Sequence, residues 1–335
     1  MIDRAHKQTD EDIEKTQRHL AVLYAIAQRA INKKVQSFAG RTKQEADALY
    51  AQIGKAKTPA EKQKAQNAYK SYYTKLVKTP EFKKFSTDIA SDISEVNQQA
   101  AEYINAQSPA IYANNYNAIG SGLQRDLTGY SFIPVTETEA EQYSGVEQQV
   151  INAAEDKKWN AKTVVKAVIA GALIYKTVDK IFGDAGKRMV SQSRGSAYRQ
   201  ASDMATGAEN LGRLDSMYRA SDEGFGIRKV WVATLDNRTR DTHIMYDNLP
   251  PMELDYEYNT GLKEPKDPNC GIAAEVCNCR CRIVYDVGYG ISRTRAAREG
   301  FVRGSYWNDS SFTGTHTVTV PNMTYSEWKR WRNGS

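Results

Sequence analysis

From residue 11 to residue 38, apolar side chains recur at Ile13, Leu20, Leu23, Ala27, Ile31, Val35 and Phe38, the spacing of a helix with one buried stripe. Lys55–Pro59 breaks the pattern, and Thr58-Pro59 suits the start of a second helix carrying Tyr69, Tyr72 and Tyr73. Thr79-Pro80 starts a third. There Phe82, Phe85, Ile89, Ile93, Val96, Ala100 and Tyr103 alternate steps of three and four, a heptad-like seam that needs a partner helix in this chain or another. Ser108-Pro109 is expected to end it, and Gly120, Gly122, Gly129 and Pro134 mark a turn-rich connection. Helical pattern returns near Val146, passes Trp159, and becomes strongly apolar over 162–182. A break is expected at Gly183–Gly186, before a Ser/Ala/Arg-rich helix that reaches about Asn210.

The periodicity changes at Ile227. Lys229–Asp236 alternates and is rich in β-formers, so it reads as a strand, and Cys281–Val287 reads as another. Pro250, Pro251, Gly261, Pro265, Pro268 and Gly271 lie between them, in a loop long enough to carry function or to be pinned by something. A Gly- and Arg-rich arm follows, then a short strand at Thr315–Val320 and an amphipathic helix at Met323–Arg332 with Trp328 and Trp331. The expected class is α+β. A long, mostly helical region spans 1–225, with a break near 128–145; a small α+β domain spans 226–290; an arm with a short strand and helix spans 291–335.

Charge sharpens this picture. Residues 15–84 carry 16 Lys/Arg against four Asp/Glu, and residues 85–160 carry three against eleven. The basic stretch reads either as a solvated helical face or as a surface for DNA or an acidic protein, with Lys33, Lys34, Lys62, Lys64, Lys83 and Lys84 as the contacts. The start, MIDRAHKQTDEDIEK, lacks the apolar core of a secretory signal. The most apolar segment, Val164–Val178, is interrupted by Lys166 and Lys176, so a buried helix is expected there and stable membrane insertion is not. These features place synthesis in a cytoplasm. The four cysteines fall between Cys270 and Cys281, which is not a distributed disulfide framework. Phosphate-cradling loops of the P-loop or dinucleotide type are absent from the sequence.

The most informative stretch contains Lys229-Val-Trp231, then Asp236-Asn-Arg238-Thr-Arg240-Asp-Thr-His243, then Pro265-Lys-Asp267-Pro268, then Asn278-Cys279-Arg280-Cys281. This resembles the C-terminal domain of the phage Mu F-like minor head proteins, also called the head morphogenesis or minor capsid family. Its pattern is a Lys-Trp strand, an Asp/Arg/His run, a proline-rich loop and a closing Asn-Cys-Arg-Cys. The resemblance covers roughly the last third of the chain. One departure precedes it, where Arg213-Leu-Asp215 stands in place of the family's Arg-Thr-Glu. The resemblance implies a structural protein of the virion of a tailed bacteriophage, made in the bacterial host and not an enzyme. It implies several copies in the head interior or at the portal vertex, with the portal protein, the major capsid protein and packaged double-stranded DNA as partners.

On their own chemistry, Asp236, Arg238 and Arg240 form either an ion-pair lock between strand and loop or a guanidinium face for phosphate or carboxylate. His243, Cys270, Cys279 and Cys281 can supply the four N/S ligands of a structural zinc ion; buried free thiols and a disulfide are the alternatives. On a strand, Cys279 and Cys281 point to one face. Trp231, Pro265 and Asp267 are expected to organise the fold around them. Of the histidines, His6 and His19 are expected at the surface and His316 in a terminal strand, while His243 has Asp236, Asp241 and Asp247 nearby in sequence. Two other functions remain open: an internal DNA-binding or ejected virion protein, and a metal-dependent hydrolase or toxin-like effector using His243.

Overall fold

The computed structural model describes residues 3–142, 161–288, 294–299, 316–321 and 323–332. The helical pattern expected near Val146 and Trp159 lies outside them. The described elements are α1 (Arg4–Lys55), α2 (Pro59–Leu76), α3 (Pro80–Asn105), α4 (Ser108–Asp126), α5 (Glu137–Ala140), α6 (Ala161–Leu173), α7 (Val178–Asp222), β1 (Arg228–Val232), α8 (Asp241–Asp247), β2 (Met252–Glu253), α9 (Ala273–Val276), β3 (Arg282–Asp286), β4 (Thr294–Glu299), β5 (His316–Pro321) and α10 (Tyr325–Arg332). The class is α+β: mostly helical, with a small antiparallel sheet in the order β2-β1-β3. Lys229 pairs with Tyr285 and Trp231 with Ile283 in its central ladder. A separate ribbon pairs β4 with β5.

The chain divides into two compact units that are not sequential. One comprises Met1–Gln17, Glu102–Ala153 and Tyr198–Ser335; the other comprises Arg18–Ala101 and Ala154–Ala197. Segments of the 1–225 region therefore contribute to both.

In the helical unit, the seam of α3 finds its partners within the chain. Phe85 stacks on Phe38 of α1 with ring centroids 4.4 Å apart, and Phe182 of α7 meets Phe38 at 5.4 Å and Phe85 at 5.9 Å. Ile89, Ile93, Val96 and Ala100 are buried along the same stripe. The start of α2 is set as the sequence suggests. The Thr58 hydroxyl accepts from the Glu61 amide at 3.2 Å, and the Glu61 carboxylate accepts from the Thr58 amide at 3.1 Å, a capping box with Pro59 in the first turn. Tyr69 Oη donates to the Lys176 carbonyl, holding the short connection between α6 and α7.

That connection corrects the expected helix over 162–182. The helix stops at Leu173, Tyr175 adopts φ 52°, and α7 then runs unbroken through Gly183 and Gly186 to Asp222. Val164, Val168 and Ala172 are buried while Leu173 and Ile174 are exposed, so only one face of the apolar segment is covered. Among the described residues, no helix is long and apolar enough to cross a membrane.

In the other unit, the expected turn-rich connection after Ser108-Pro109 is instead α4. Pro109 in the first turn initiates a helix, because its missing N–H has no partner to lose there. Gly120 is a packing glycine: a Cβ there would lie 1.9 Å from the Phe132 ring. The chain turns only after Asp126, with Gly129 at φ 87°. Ile119 and Leu123 of α4 join Leu214, Met217 and Ala220 of α7, with Ile227, Leu254 and Ile283 of the sheet region, in one core. Trp231, Tyr246, Tyr258, Leu262, Cys279 and Cys281 form a second core, and Leu235, Tyr325 and Trp328 a third that docks α10. β4 falls within the arm, where no strand was expected.

Candidate metal centre

β1 ends at Val232, and Thr234–Arg240 turns the chain into α8. Asp236 fixes that turn: its carboxylate accepts from the Arg238 amide at 2.8 Å and pairs with the Arg280 guanidinium. Arg280 and Arg238 hold the Asp236 carboxyl below the usual range against the opposing effect of its burial. Arg238 lies 3.9 Å from the same carboxylate, and Arg240 donates to the Cys277 carbonyl. The Asp/Arg run thus ties the first strand to the segment before β3. The principal arginine is Arg280, the residue between the two cysteines.

One turn into α8, His243 is 1% exposed. Its ring packs edge-on to Trp231, with centroids 5.0 Å apart. Its Nδ1 faces two sulfurs, Cys279 Sγ at 3.5 Å and Cys281 Sγ at 3.4 Å. Its Nε2 lies 3.1 Å from Glu275 Oε2, which also accepts from the Thr242 hydroxyl at 2.9 Å. One ligand atom from each of His243, Cys279 and Cys281 lies within 4.8 Å of the others, and all three residues are buried. Neither cysteine lies on the strand expected to align them, since β3 starts at Arg282, yet both sulfurs meet His243 and the intervening Arg280 turns to Asp236.

The two thiols differ. Burial and the hydrogen bond with Cys279 push the Cys281 thiol well above its ordinary value. Burial also acts to raise Cys279, but the Cys281 thiol, the Lys266 ammonium, the Cys281 amide and Arg240 outweigh it and bring that thiol down.

Cys270, expected as a fourth ligand, is not in this cluster. Its Sγ lies 3.4 Å from the Thr260 carbonyl. Asp236, Asp241 and Asp247, near His243 in sequence, do not supply its carboxylate. Asp236 is held by Arg280, Asp247 accepts from the Ala233 and Tyr325 amides at 2.9 and 3.0 Å, and Asp241 is exposed in the first turn of α8. Glu275 takes that place from α9, which was read as loop.

The proline-rich loop is fixed around this centre. Pro265 and Asp267 are buried, and Asp267 accepts from the Lys263 and Asn269 amides at 2.9 and 2.8 Å. Lys266 adopts φ 73° and pairs with Asp203 of α7, whose carboxylate also accepts from the Asn278 amide at 2.9 Å. Lys229 of the Lys-Trp strand is fully buried, donating to the Leu254 and Tyr256 carbonyls at 2.6 and 2.8 Å. Burial lowers its ammonium to about 8 and raises the nearby Glu264 carboxyl to about 8.

Over 139 residues the chain is 30% identical to an NAD(+)–arginine ADP-ribosyltransferase of Enterococcus faecalis, covering 39% of this chain and 27% of that protein. Over 125 residues it is 27% identical to minor head protein GP7 of Bacillus phage SPP1, covering 37% of this chain and 36% of that protein. The chain therefore spans about a quarter to a third of the curated relatives it matches. No family model matches it, and no solved structure matches it significantly.

Arg213 organises a second buried polar cluster. It is 1% exposed and donates to Asp3 at 2.9 and 3.0 Å, to Asn115 Oδ1 at 3.0 Å and to the Ile283 carbonyl at 3.3 Å, and it pairs with Glu209 at 3.1 Å. Glu209 in turn lies 2.9 Å from His6 Nδ1, so His6 is buried and not at the surface as expected; His19 is exposed. Asp215, the shortened acid of the Arg-Leu-Asp trio, accepts from Tyr112 Oη at 2.7 Å. Sequence reasoning missed Asp3, Glu209, Glu275 and Arg280. Of these, Arg280 carried a local signal in its place inside Asn-Cys-Arg-Cys, and Glu209 in its helical i,i+4 spacing to Arg213.

Lys33, Lys34, Lys62, Lys64, Lys83 and Lys84 are all exposed and all belong to the helical unit. Lys34 is paired with Asp92 at 2.7 Å.

Proposed function

We propose that this chain is a structural minor head protein of a tailed bacteriophage. The observation that carries the reading is the identity with minor head protein GP7 of Bacillus phage SPP1. The four-part pattern from Lys229 to Cys281 supports it, because its elements fold into one buried assembly: strand, arginine lock, pinned loop and cysteine pair. In this reading the protein works by adhesion. It is incorporated in several copies at the portal vertex or inner head surface, against the portal protein and major capsid protein. The exposed lysines of the helical unit face packaged DNA or acidic partner surfaces. The Mu F-like assignment belongs to the same proposal. The test is co-purification with assembled particles. Recovery with capsids or portal rings at a defined stoichiometry is expected, and absence from purified particles would overturn the reading.

A second reading is favoured by the 30% identity with the ADP-ribosyltransferase. In it, the chain transfers ADP-ribose from NAD to arginine, in line with a toxin-like effector. Incubation of the purified chain with labelled NAD and an arginine-bearing acceptor distinguishes the two. Label transfer would establish the enzymatic reading, and its absence with intact, folded chain would leave adhesion as the function.

A further inference from the structure

Three metal-ligating donors converge in the fold: an imidazole nitrogen and two cysteine sulfurs, all buried, contributed by α8 and by the segment that leads into β3. Thiolate and imidazole donors suit zinc and other late transition metals over magnesium and calcium. Zinc–sulfur bonds of about 2.3 Å and a zinc–nitrogen bond of about 2.05 Å at the tetrahedral angle place nitrogen and sulfur about 3.5 Å apart. The observed separations of 3.5 and 3.4 Å fit that edge for both sulfurs.

The imidazole is also held as a ligand would be. Glu275 Oε2 sits 3.1 Å from Nε2, the geometry in which a carboxylate accepts the Nε2 proton while Nδ1 faces the sulfurs. A carboxylate behind a histidine is the usual outer support of a metal-bound imidazole. The Glu275 carboxylate is itself anchored by Thr242.

The backbone carrying the sulfurs is fixed from several sides. Asn210 donates to the Cys281 carbonyl at 3.0 Å, Thr234 to the Arg280 carbonyl at 2.6 Å, and Arg240 to the Cys277 carbonyl. Two thiolates neutralise one divalent cation, so a loaded centre buries no net charge, whereas an isolated buried ion would be costly.

We propose that His243 Nδ1, Cys279 Sγ and Cys281 Sγ bind one zinc ion, with Glu275 as the carboxylate that orients the imidazole. Cys270 and Cys277 are not ligands. The ion joins α8 to the start of β3, so its role is to clamp the Trp231 core. This inference rests on the geometry of the chain and not on the head-protein reading, so either can fail without the other.

The test uses the untagged 335-residue chain produced with zinc present. Metal content is measured by mass spectrometry, and the stripped chain is titrated with cobalt(II). Close to one zinc per chain is expected, with a thiolate-to-cobalt charge-transfer band saturating at one equivalent. Cys279→Ser should abolish tight binding. Cys270→Ser and Cys277→Ser should leave stoichiometry and spectrum unchanged. Glu275→Gln should keep the spectrum and weaken affinity by roughly tenfold to a hundredfold. Two results would overturn the proposal. One is a folded wild-type chain that holds no zinc and gives no charge-transfer band. The other is binding abolished by Cys270→Ser or Cys277→Ser in a folded chain. The wild-type and Cys270 arms decide the question even if Cys279→Ser does not fold.

Discussion

The core of the helical unit is mainly apolar: Phe38, Phe82, Phe85 and Phe182 meet ring to ring, and Ile31, Val35, Ile89, Ile93 and Val96 are buried with them. The unit that carries the sheet buries Arg213, Glu209, Lys229, Glu264, Asp236 and His243 among its apolar cores. Hydrophobic burial is non-directional, and an apolar core tolerates replacement by residues of similar volume. Buried charges are directional: each is tolerable only while its partners remain. The two units should therefore respond differently to substitutions of the same size.

The largest effect is expected from Arg213→Met. Volume is nearly kept, but Asp3, Glu209 and Asn115 lose their shared donor. Removing one partner of a buried ion pair costs about 3–5 kcal/mol, and His6 beside Glu209 and Arg282 beside Asp3 place the loss at the lower end of that range. Urea unfolding followed by a probe in the sheet-bearing unit measures this, and a neutral outcome would remove the contrast between the units. Gly212→Ala comes next. A Cβ there would lie 2.5 Å from the Tyr112 carbonyl oxygen, a backbone atom that cannot rotate away. A loss of about 1–3 kcal/mol is expected from such overpacking. Phe182→Met in the helical unit should cost less than about 1.5 kcal/mol, because it approximately conserves volume in an apolar site.

Acidity sharpens the comparison further. Burial, with Asp267 beside it and against the pull of Lys229, raises the Glu264 carboxyl from 4.5 to about 8. The folded state therefore holds this proton more tightly than the unfolded chain does. The stability contributed is fully present below pH 4.5 and is lost as pH rises through about 8. The Glu264→Gln variant should show a flatter thermal-midpoint profile across that window than the parent chain; parallel profiles would refute the assignment. The smallest stability effect is expected from Lys62→Glu with Lys64→Glu, within about 0.5 kcal/mol for exposed side chains. If the lysine face meets DNA, the same double variant should lower duplex affinity and reduce the salt slope by about two phosphate contacts.

The helical unit was largely legible in the sequence, because a buried stripe repeats with the helix period and Thr58-Pro59 and Thr79-Pro80 mark starts with a local mechanism. Breaks expected at glycines proved to be helix. Gly183 and Gly186 lie inside α7, and Gly120 and Gly122, in the other unit, lie inside α4, since a helix accepts glycine at a modest cost. A Cβ would collide with Phe132 at Gly120 and with Tyr285 at Gly122, but would meet open space at Gly183. β1 and β3 were legible from their alternation, whereas β2, with two residues, is too short to carry any. In the candidate site, His243, Cys279 and Cys281 were visible as residue types. Cys270 was included on proximity in sequence, and the structure turns it towards Thr260. Glu275 and Asp3 were invisible, because His243 lies 32 residues from Glu275 and Arg213 lies 210 from Asp3, and no spacing rule links a charge to a distant counter-charge. Glu209 stands four residues before Arg213, a helical ion-pair spacing, but its contact with His6 spans 203 residues.

The minor head protein proposed above is a part of a phage head. Cryo-electron microscopy of the assembled particle, focused on the portal vertex without imposed icosahedral symmetry, tests it most directly. The expected result is density for the α1–α3 helices against the portal or inner shell, in several copies. A complete particle with no copy of this chain would contradict the account.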